Sequence, residues 1–231
     1  MVRYISLLLF IGLAFWSCEE SHLLNYEIRL SDDNSEDTPF IILMHGYGGN
    51  AKSYSQKGGF NNGISTIYLD APYAMNPLSG GNKWYDFKIE NGDTSSNQNQ
   101  IKESIELVLN TIKKVLKEKK IKSNHIFIGG HSQGGIIAYK IALTYPEIFK
   151  GFIISSGRLP VEYAVKNDLS HYQNKKVLII HGKNDGAIEL KYSLAGKNLM
   201  EKLGMETQYV IKERGHGQAP DFYDIVESWL K

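Results

Sequence analysis

Six short runs, Phe40 to Met44, Ile64 to Leu69, His125 to Gly129, Phe152 to Ser155, Lys176 to Ile180 and Thr207 to Ile211, are β-branched and apolar almost without interruption. A strand with one wet face alternates polar and apolar side chains. These runs do not, so they predict strands covered on both faces. Between several of them apolar residues recur at three- or four-residue steps, as at Ile101, Ile105, Val108, Ile112 and Val115, and less regularly at Leu190, Leu194, Leu199 and Leu203. Strands alternating with helices predict an α/β fold with a mostly parallel central sheet and helices on both faces. Leu23 to Leu30 is expected to add an edge strand, whereas Ser31 to Pro39 and Asn91 to Gln100 read as loops by composition.

With 231 residues, 42% of them apolar, the chain can bury one substantial core, and no repeat or linker divides it. Residues 39–231 are therefore expected to form one domain, preceded by an N-terminal segment, 18–38. The 26 basic and 25 acidic residues balance, which leaves no field to attract nucleic acid. The cluster Lys113, Lys114, Lys117, Lys119 and Lys120 reads as the solvated face of a helix.

Residues 1–17 are a separate object. One early cation, Arg3, precedes an uncharged apolar stretch from Tyr4 to Trp16 that is short for a bilayer span, and the only cysteine, Cys18, follows. This pattern reads as an export signal and resembles a bacterial lipobox, with Ser17 as the small residue before the cysteine. The resemblance implies a protein of the cell envelope, held to a membrane only through lipid on Cys18. An ordinary signal peptide, giving a periplasmic or secreted protein, or an uncleaved anchor is the alternative. Either way Cys18 has no intramolecular disulfide partner.

The stretch Gly130-His131-Ser132-Gln133-Gly134 is G-x-S-x-G, placed where a buried strand gives way to an apolar helix. Such a turn holds the serine in a strained backbone conformation, and side chains two residues to either side would collide with it. Gly130 and Gly134 remove them. A serine hydroxyl is a poor nucleophile at neutral pH, so it needs a base and a group to orient that base. In the strand-turn-helix context of this motif the order is serine, carboxylate, histidine, at the carboxyl ends of later strands. Asp185 follows the run Lys176 to Ile180, and His216 follows Thr207 to Ile211.

The other candidates fit less well. His22, His125 and His171 lie away from the strand ends, His45 and His181 precede glycines and suit loop-shaping, and His131, adjacent to the serine, is expected to point away. Asp70 ends a strand but precedes the serine, and Asp221 is expected to cap the last helix, Phe222 to Leu230. Two main-chain N–H groups, of Tyr47 in the loop Leu43 to Asn50 and of Gln133, are expected to form an oxyanion hole.

These blocks resemble the phospholipase/carboxylesterase family of α/β-hydrolases, the group that also holds acyl-protein thioesterases. The similarity runs from about Pro39 through "LMHGYGGN", "LDAPYAMNPLSGGNKWYDF", "IFIGGHSQGGIIAY", "FIISSGRLP", "IIHGKNDGAIELKYS" and "ERGHG". It implies an α/β-hydrolase fold and hydrolysis of carboxylic or thio esters with no metal or organic cofactor. It also implies that the loop of Trp84 lies near the acyl site; a tryptophan plugging the core is the other possibility. The substrate implied is a small or polysaccharide-linked ester. The sequence around Asp185 departs from the family pattern, with Gly186 and Ala187 in place of bulkier residues.

Two other classes compete. Gly46-Tyr47-Gly48-Gly49-Asn50-Ala51 satisfies G-x-G-x-x-A after a strand, with Asp70 where a ribose-binding acid would stand, which suits a dinucleotide-dependent oxidoreductase. The segment Lys52 to Phe60, however, lacks the apolar spacing of a phosphate-loop helix. A non-catalytic surface binding protein on a hydrolase scaffold is the other. Metal dependence has little support, since H-E-x-x-H is absent and "SDDNSED" lacks the glycine of a calcium loop.

Overall fold

The computed structural model describes residues 23–61, 63–76, 80–90 and 93–231. Seven strands form one sheet: β1 (Tyr26–Arg29), β2 (Phe40–Met44), β3 (Ser65–Leu69), β8 (Ile126–His131), β9 (Gly151–Ser155), β10 (Lys176–Gly182) and β11 (Glu206–Lys212). Two short antiparallel ribbons lie outside it: β4 (Tyr73–Ala74) with β5 (Asn82–Lys83), and β6 (Phe87–Glu90) with β7 (Asp93–Ser96). The sheet order is β1-β3-β2-β8-β9-β10-β11. Only β1 is antiparallel to its neighbour; the remaining five pairings are parallel.

Among the described residues five α-helices cover the sheet: α1 (Ala51–Ser55), α2 (Gln98–Glu118), α3 (Gln133–Thr144), α4 (Leu190–Lys202) and α5 (Phe222–Leu230). Alternate residues of the central strands feed opposite faces, as strand geometry requires. Phe40, Ile42 and Met44 pack with Ile105 and Val108 of α2, Ile137 of α3 and Met200 of α4. Ile41 and Leu43 pack with Tyr54 of α1 and with Phe222, Val226 and Trp229 of α5. The two-sided burial read from the unbroken apolar runs is thus what the fold shows for β2, β3 and β9, every residue of which is buried.

Four local expectations are corrected. Strand β11 is not covered on both faces; as the edge of the sheet it alternates exposed and half-buried residues. Asn91 to Gln100 is not a plain loop, because β7 pairs with β6 and Asn97 caps α2 by accepting the Gln100 N–H at 3.2 Å. In α4 the buried positions are Ser193, Gly196 and Met200, and Leu194 is exposed: close packing on Tyr139 selects the small Gly196, where a Cβ would lie 2.3 Å from the Tyr139 Oη. Asp221 stands at the N-cap of α5 without a capping side-chain bond, its carboxylate being taken by Lys212 Nζ at 2.7 Å.

The predicted edge strand is real and shorter, Tyr26–Arg29. No helix among the described residues is long and apolar enough to cross a membrane. The signal-type segment and Cys18 lie outside the described residues.

Candidate active site

Strand β8 delivers Ser132 to the carboxyl end of the sheet at its centre, fourth of the seven strands. The serine sits at the N-cap of α3 with φ 54° and ψ −116°, in the left-handed half of backbone space that a residue with a Cβ avoids. Its N–H donates to the Ser155 carbonyl at 2.8 Å, and its carbonyl accepts from the Ile136 N–H at 3.0 Å, so both neighbouring elements hold the turn. A Cβ on Gly134 would lie 2.3 Å from the Met44 carbonyl oxygen, and one on Gly130 2.6 Å from the Gly134 carbonyl carbon. The motif glycines are therefore required by backbone-to-backbone contact.

Three distant side chains meet there. His216 Nε2 lies 2.7 Å from Ser132 Oγ, and His216 Nδ1 lies 2.8 Å and 3.0 Å from the two Asp185 carboxylate oxygens. The carboxylate can only accept from Nδ1–H, so in the neutral imidazole Nε2 carries the lone pair that faces the serine hydroxyl. Burial pushes the Asp185 carboxyl up, but the Ile188 N–H, His216 and the Ala187 N–H together outweigh it and hold it below the usual carboxylate range. The carboxylate thus stays charged while its side chain is wholly shielded from solvent.

The other expected residues fall into two groups. His45 and His181 are buried and shape loops. His45 Nδ1 donates to the Gly46 carbonyl at 2.7 Å and its Nε2 accepts from the Ala71 N–H at 3.1 Å, while His181 Nε2 donates to the Ile188 carbonyl at 2.8 Å. His131 does not point away: its ring centroid is 5.4 Å from that of His216, and its Nδ1 is 3.2 Å from Ser155 Oγ. Burial, and then the neighbouring His216, push the His131 pKa down to about 3, so it is neutral at pH 7.

Trp84 is fully buried in the core, and the wall of the cavity beside Ser132 is formed by the next residue, Tyr85. Its indole Nε1–H donates to the His45 carbonyl at 2.8 Å, and its own carbonyl accepts from Ser104 Oγ at 2.6 Å. The tryptophan therefore acts on the site through the backbone of the loop that follows β2. In that loop the N–H groups of Gly48 and Gly49 are used by the Asn82 and Gly46 carbonyls, whereas the Tyr47 N–H has no acceptor among the described residues. Gly46 lies against Ser132, since a Cβ there would be 3.2 Å from Ser132 Cβ. The Gln133 N–H, in the first turn of α3, is unpaired by helix geometry.

Ser132 and His216 lie at the junction of two cavities. One, of about 400 Å³, is walled mainly by Tyr85, Phe87, Ile136 and Ile188. The other, of about 540 Å³, opens between the Gly46–Gly49 loop, Tyr54, Lys57 and His131. An ester bond laid across the serine has room for one substituent on each side.

The features a dinucleotide loop requires are missing. Helix α1 is five residues long, and Asp70, instead of facing a ribose, accepts the Ala51 N–H at 2.5 Å.

A serine at a strained strand-to-helix turn, paired with a histidine and a buried carboxylate above a parallel sheet, defines an α/β-hydrolase. The chain belongs to the phospholipase/carboxylesterase family, whose model matches residues 27–231, and with it to the carboxylic ester hydrolases. The match begins upstream of Pro39, within β1. The chain is 28% identical over 201 residues to acyl-protein thioesterase 1 homolog 1 of Dictyostelium discoideum, covering 82% of this chain and 88% of that one. Its fold is similar to that of a carboxylesterase from Mesorhizobium loti, with TM-score 0.76, 18% identity and coverage of 91% and 96% of the two chains. It is also similar to the Bacillus cereus carboxylesterase, with TM-score 0.75, 19% identity and coverage of 90% and 94%.

Proposed function

We propose that this protein hydrolyses carboxylic or thio esters through an acyl-serine intermediate, with Ser132 as nucleophile, His216 as general base and acid, and Asp185 as the group that orients the imidazole. The observation that carries this is the continuous chain from Ser132 Oγ to His216 Nε2, 2.7 Å, and from Nδ1 to Asp185, 2.8 Å. As Oγ attacks the ester carbonyl carbon, its proton passes to Nε2, and the imidazolium is stabilised by the carboxylate. The carbonyl oxygen, now an anion, is bound by the N–H groups of Tyr47 and Gln133. The intermediate collapses, the bond to the alcohol or thiol breaks, and His216 gives that leaving group the proton. Water then attacks the acyl-serine, again losing its proton to Nε2, and the acid departs as Ser132 is restored.

The substrate is a small or polysaccharide-linked ester. Its two halves would occupy the two cavities that meet at Ser132. We also propose that the protein is exported to the cell envelope and anchored by lipid on Cys18, which the signal-type segment before that residue supports. Cys18→Ser should then move the protein from the membrane to the soluble fraction.

The direct test is a panel of p-nitrophenyl esters of graded acyl length, with feruloylated and acetylated sugars, run beside an organophosphonate probe. Turnover, and a probe adduct on Ser132 that is lost with Ser132→Ala, are expected. A folded protein that neither turns over any ester nor labels at Ser132 would return the chain to the reading of a binding protein on a hydrolase scaffold.

A further inference from the structure

Arg158 is a cation in the wall of the apolar cavity that also holds Ser132 and His216. Its place is built by the backbone. Ser156 adopts φ 47°, with its N–H donating to the Ile180 carbonyl at 2.9 Å, and Gly157 lies against Gly135 of α3, where a Cβ would be 3.1 Å from the Gly135 carbonyl carbon. This turn carries the chain from the end of β9 across the start of α3 and leaves Arg158, half-buried, at the cavity.

A guanidinium has five N–H donors and stays charged at any pH the protein meets. Only Nη1 is used, by the Leu159 carbonyl at 3.2 Å, and no carboxylate lies within ion-pair distance among the described residues. Other half-buried cations do find partners: Lys83 pairs with Asp86 at 2.6 Å and Lys166 with Glu147 at 2.8 Å, while both Nη groups of Arg29 are used, by the Gly58 and Ser55 carbonyls at 3.0 and 2.6 Å. Ile136, Ile188, Tyr85 and Phe87, which line the same cavity, offer the guanidinium no counter-charge. A purely apolar group filling the cavity would desolvate Arg158 without pairing it, which is unfavourable. A group ending in a carboxylate would pair it in a bidentate, charge-assisted contact, the geometry arginine suits best. Thr94 and Ser96, which also line the cavity, add hydroxyl donors.

We propose that Arg158 selects esters whose group in this cavity ends in a carboxylate, so that the preferred substrates are hemi-esters of dicarboxylic acids. The proposal rests on the ester-hydrolase function above and names its substrate class. Matched pairs test it: monoethyl adipate against ethyl hexanoate, and monoethyl pimelate against ethyl heptanoate, followed by acid release. The wild-type protein should favour the hemi-ester of each pair by about tenfold or more in kcat/KM, mostly through KM. Arg158→Leu should bring that ratio near one, and Arg158→Lys, which keeps charge without the fork, should retain part of it. Equal or reversed preference in the wild-type protein, which needs no variant, overturns the proposal, as does a ratio unchanged in Arg158→Leu.

Binding separates this failure from failure of the esterase function. In a Ser132→Ala background, calorimetry should detect monoethyl adipate, with affinity lost when Arg158→Leu is added. Absence of hydrolysis with such binding present would sink the catalytic assignment and keep the anion site. Equal binding with and without Arg158 would sink the site.

Discussion

The side chain of Gln133 clamps the backbone of Trp84: its Oε1 accepts the Trp84 N–H at 2.7 Å, while its Nε2 donates to the adjoining Tyr85 carbonyl at 2.8 Å. Both bonds are buried, and they tie the start of α3 to a loop nearly fifty residues away. Gln133→Ala leaves a buried donor and a buried acceptor unpaired, which should cost about 2–4 kcal/mol of stability in denaturant titrations. Gln133→Glu keeps the acceptor and loses the donor, so an intermediate loss is expected. Equal stability of all three proteins would mean that the clamp does not hold the loop.

The turn at Ser132 leaves no room for a methyl group on one side, whereas the loop that follows Asp185 has space. Gly134→Ala would drive a Cβ to 2.3 Å from the Met44 carbonyl oxygen, so little folded protein is expected. Gly186→Ala meets nothing within 4 Å and has no positive φ. It should leave stability unchanged or raise it by about 0.4–1 kcal/mol by restricting the unfolded chain. Thermal melts of the two variants side by side decide the matter.

Asp185→Asn should preserve the fold of the loop but offer His216 an amide in place of a carboxylate. The imidazole can then take the wrong tautomer and its charged form loses its partner. A fall in kcat on the order of 10⁴-fold is expected, with KM little changed. A variant retaining more than a tenth of wild-type turnover would remove Asp185 from the catalytic machinery.

Acid sensitivity should trace in part to His131. Its folded pKa is pushed down to about 3 from an ordinary 6.5, so between those values the unfolded chain binds a proton that the folded chain refuses. The stability from keeping this imidazole neutral is fully present above pH 6.5 and is lost as pH falls toward 3, at up to about 1.4 kcal/mol per pH unit. The depressed Asp185 carboxyl acts in the same sense, its contribution being lost as pH falls below the ordinary carboxylate range. His131→Phe keeps a ring beside His216 and removes the first effect. Its stability, measured from pH 7 to pH 5, should decline less steeply than that of the wild-type protein; parallel curves would rule out His131 as a source.

Much of this protein could be read along the chain. Unbroken apolar runs announced strands with two covered faces, and the structure covers β2, β3 and β9 on both sides. Where that logic failed, at β11, the run lay at a sheet edge, a place that depends on strand order and leaves no mark on a five-residue pattern. The loop expected over Asn91 to Gln100 misled for a related reason: among its described residues Asp93 to Ser96 pair with β6, Asn97 caps α2 and Gln98 to Gln100 open that helix, and none of this is visible from composition.

The site divides in the same way. Ser132, Asp185 and His216 were legible because a glycine-flanked turn and two strand ends are local features, and the order of strands along the chain limits where such ends can meet. His131 was misjudged, because adjacency in sequence does not say which way a ring turns once the backbone takes φ 54° at the next residue. Nothing in the sequence marked Arg158, a single charge in a loop. A buried amide such as that of Gln133 could have been expected to need partners, yet not which ones.

Read alone, the chain specifies the alternation of strand and helix, the glycine-flanked turn of Ser132 and the order of Ser132, Asp185 and His216, since periodicity and glycine placement act within a few residues. Packing between distant segments sets Trp84 inside the core behind the loop, Arg158 in the cavity wall with no carboxylate partner among the described residues, and two cavities against Ser132. Those outcomes depend on contacts between segments far apart in the chain, and such contacts exist only after the sheet has assembled.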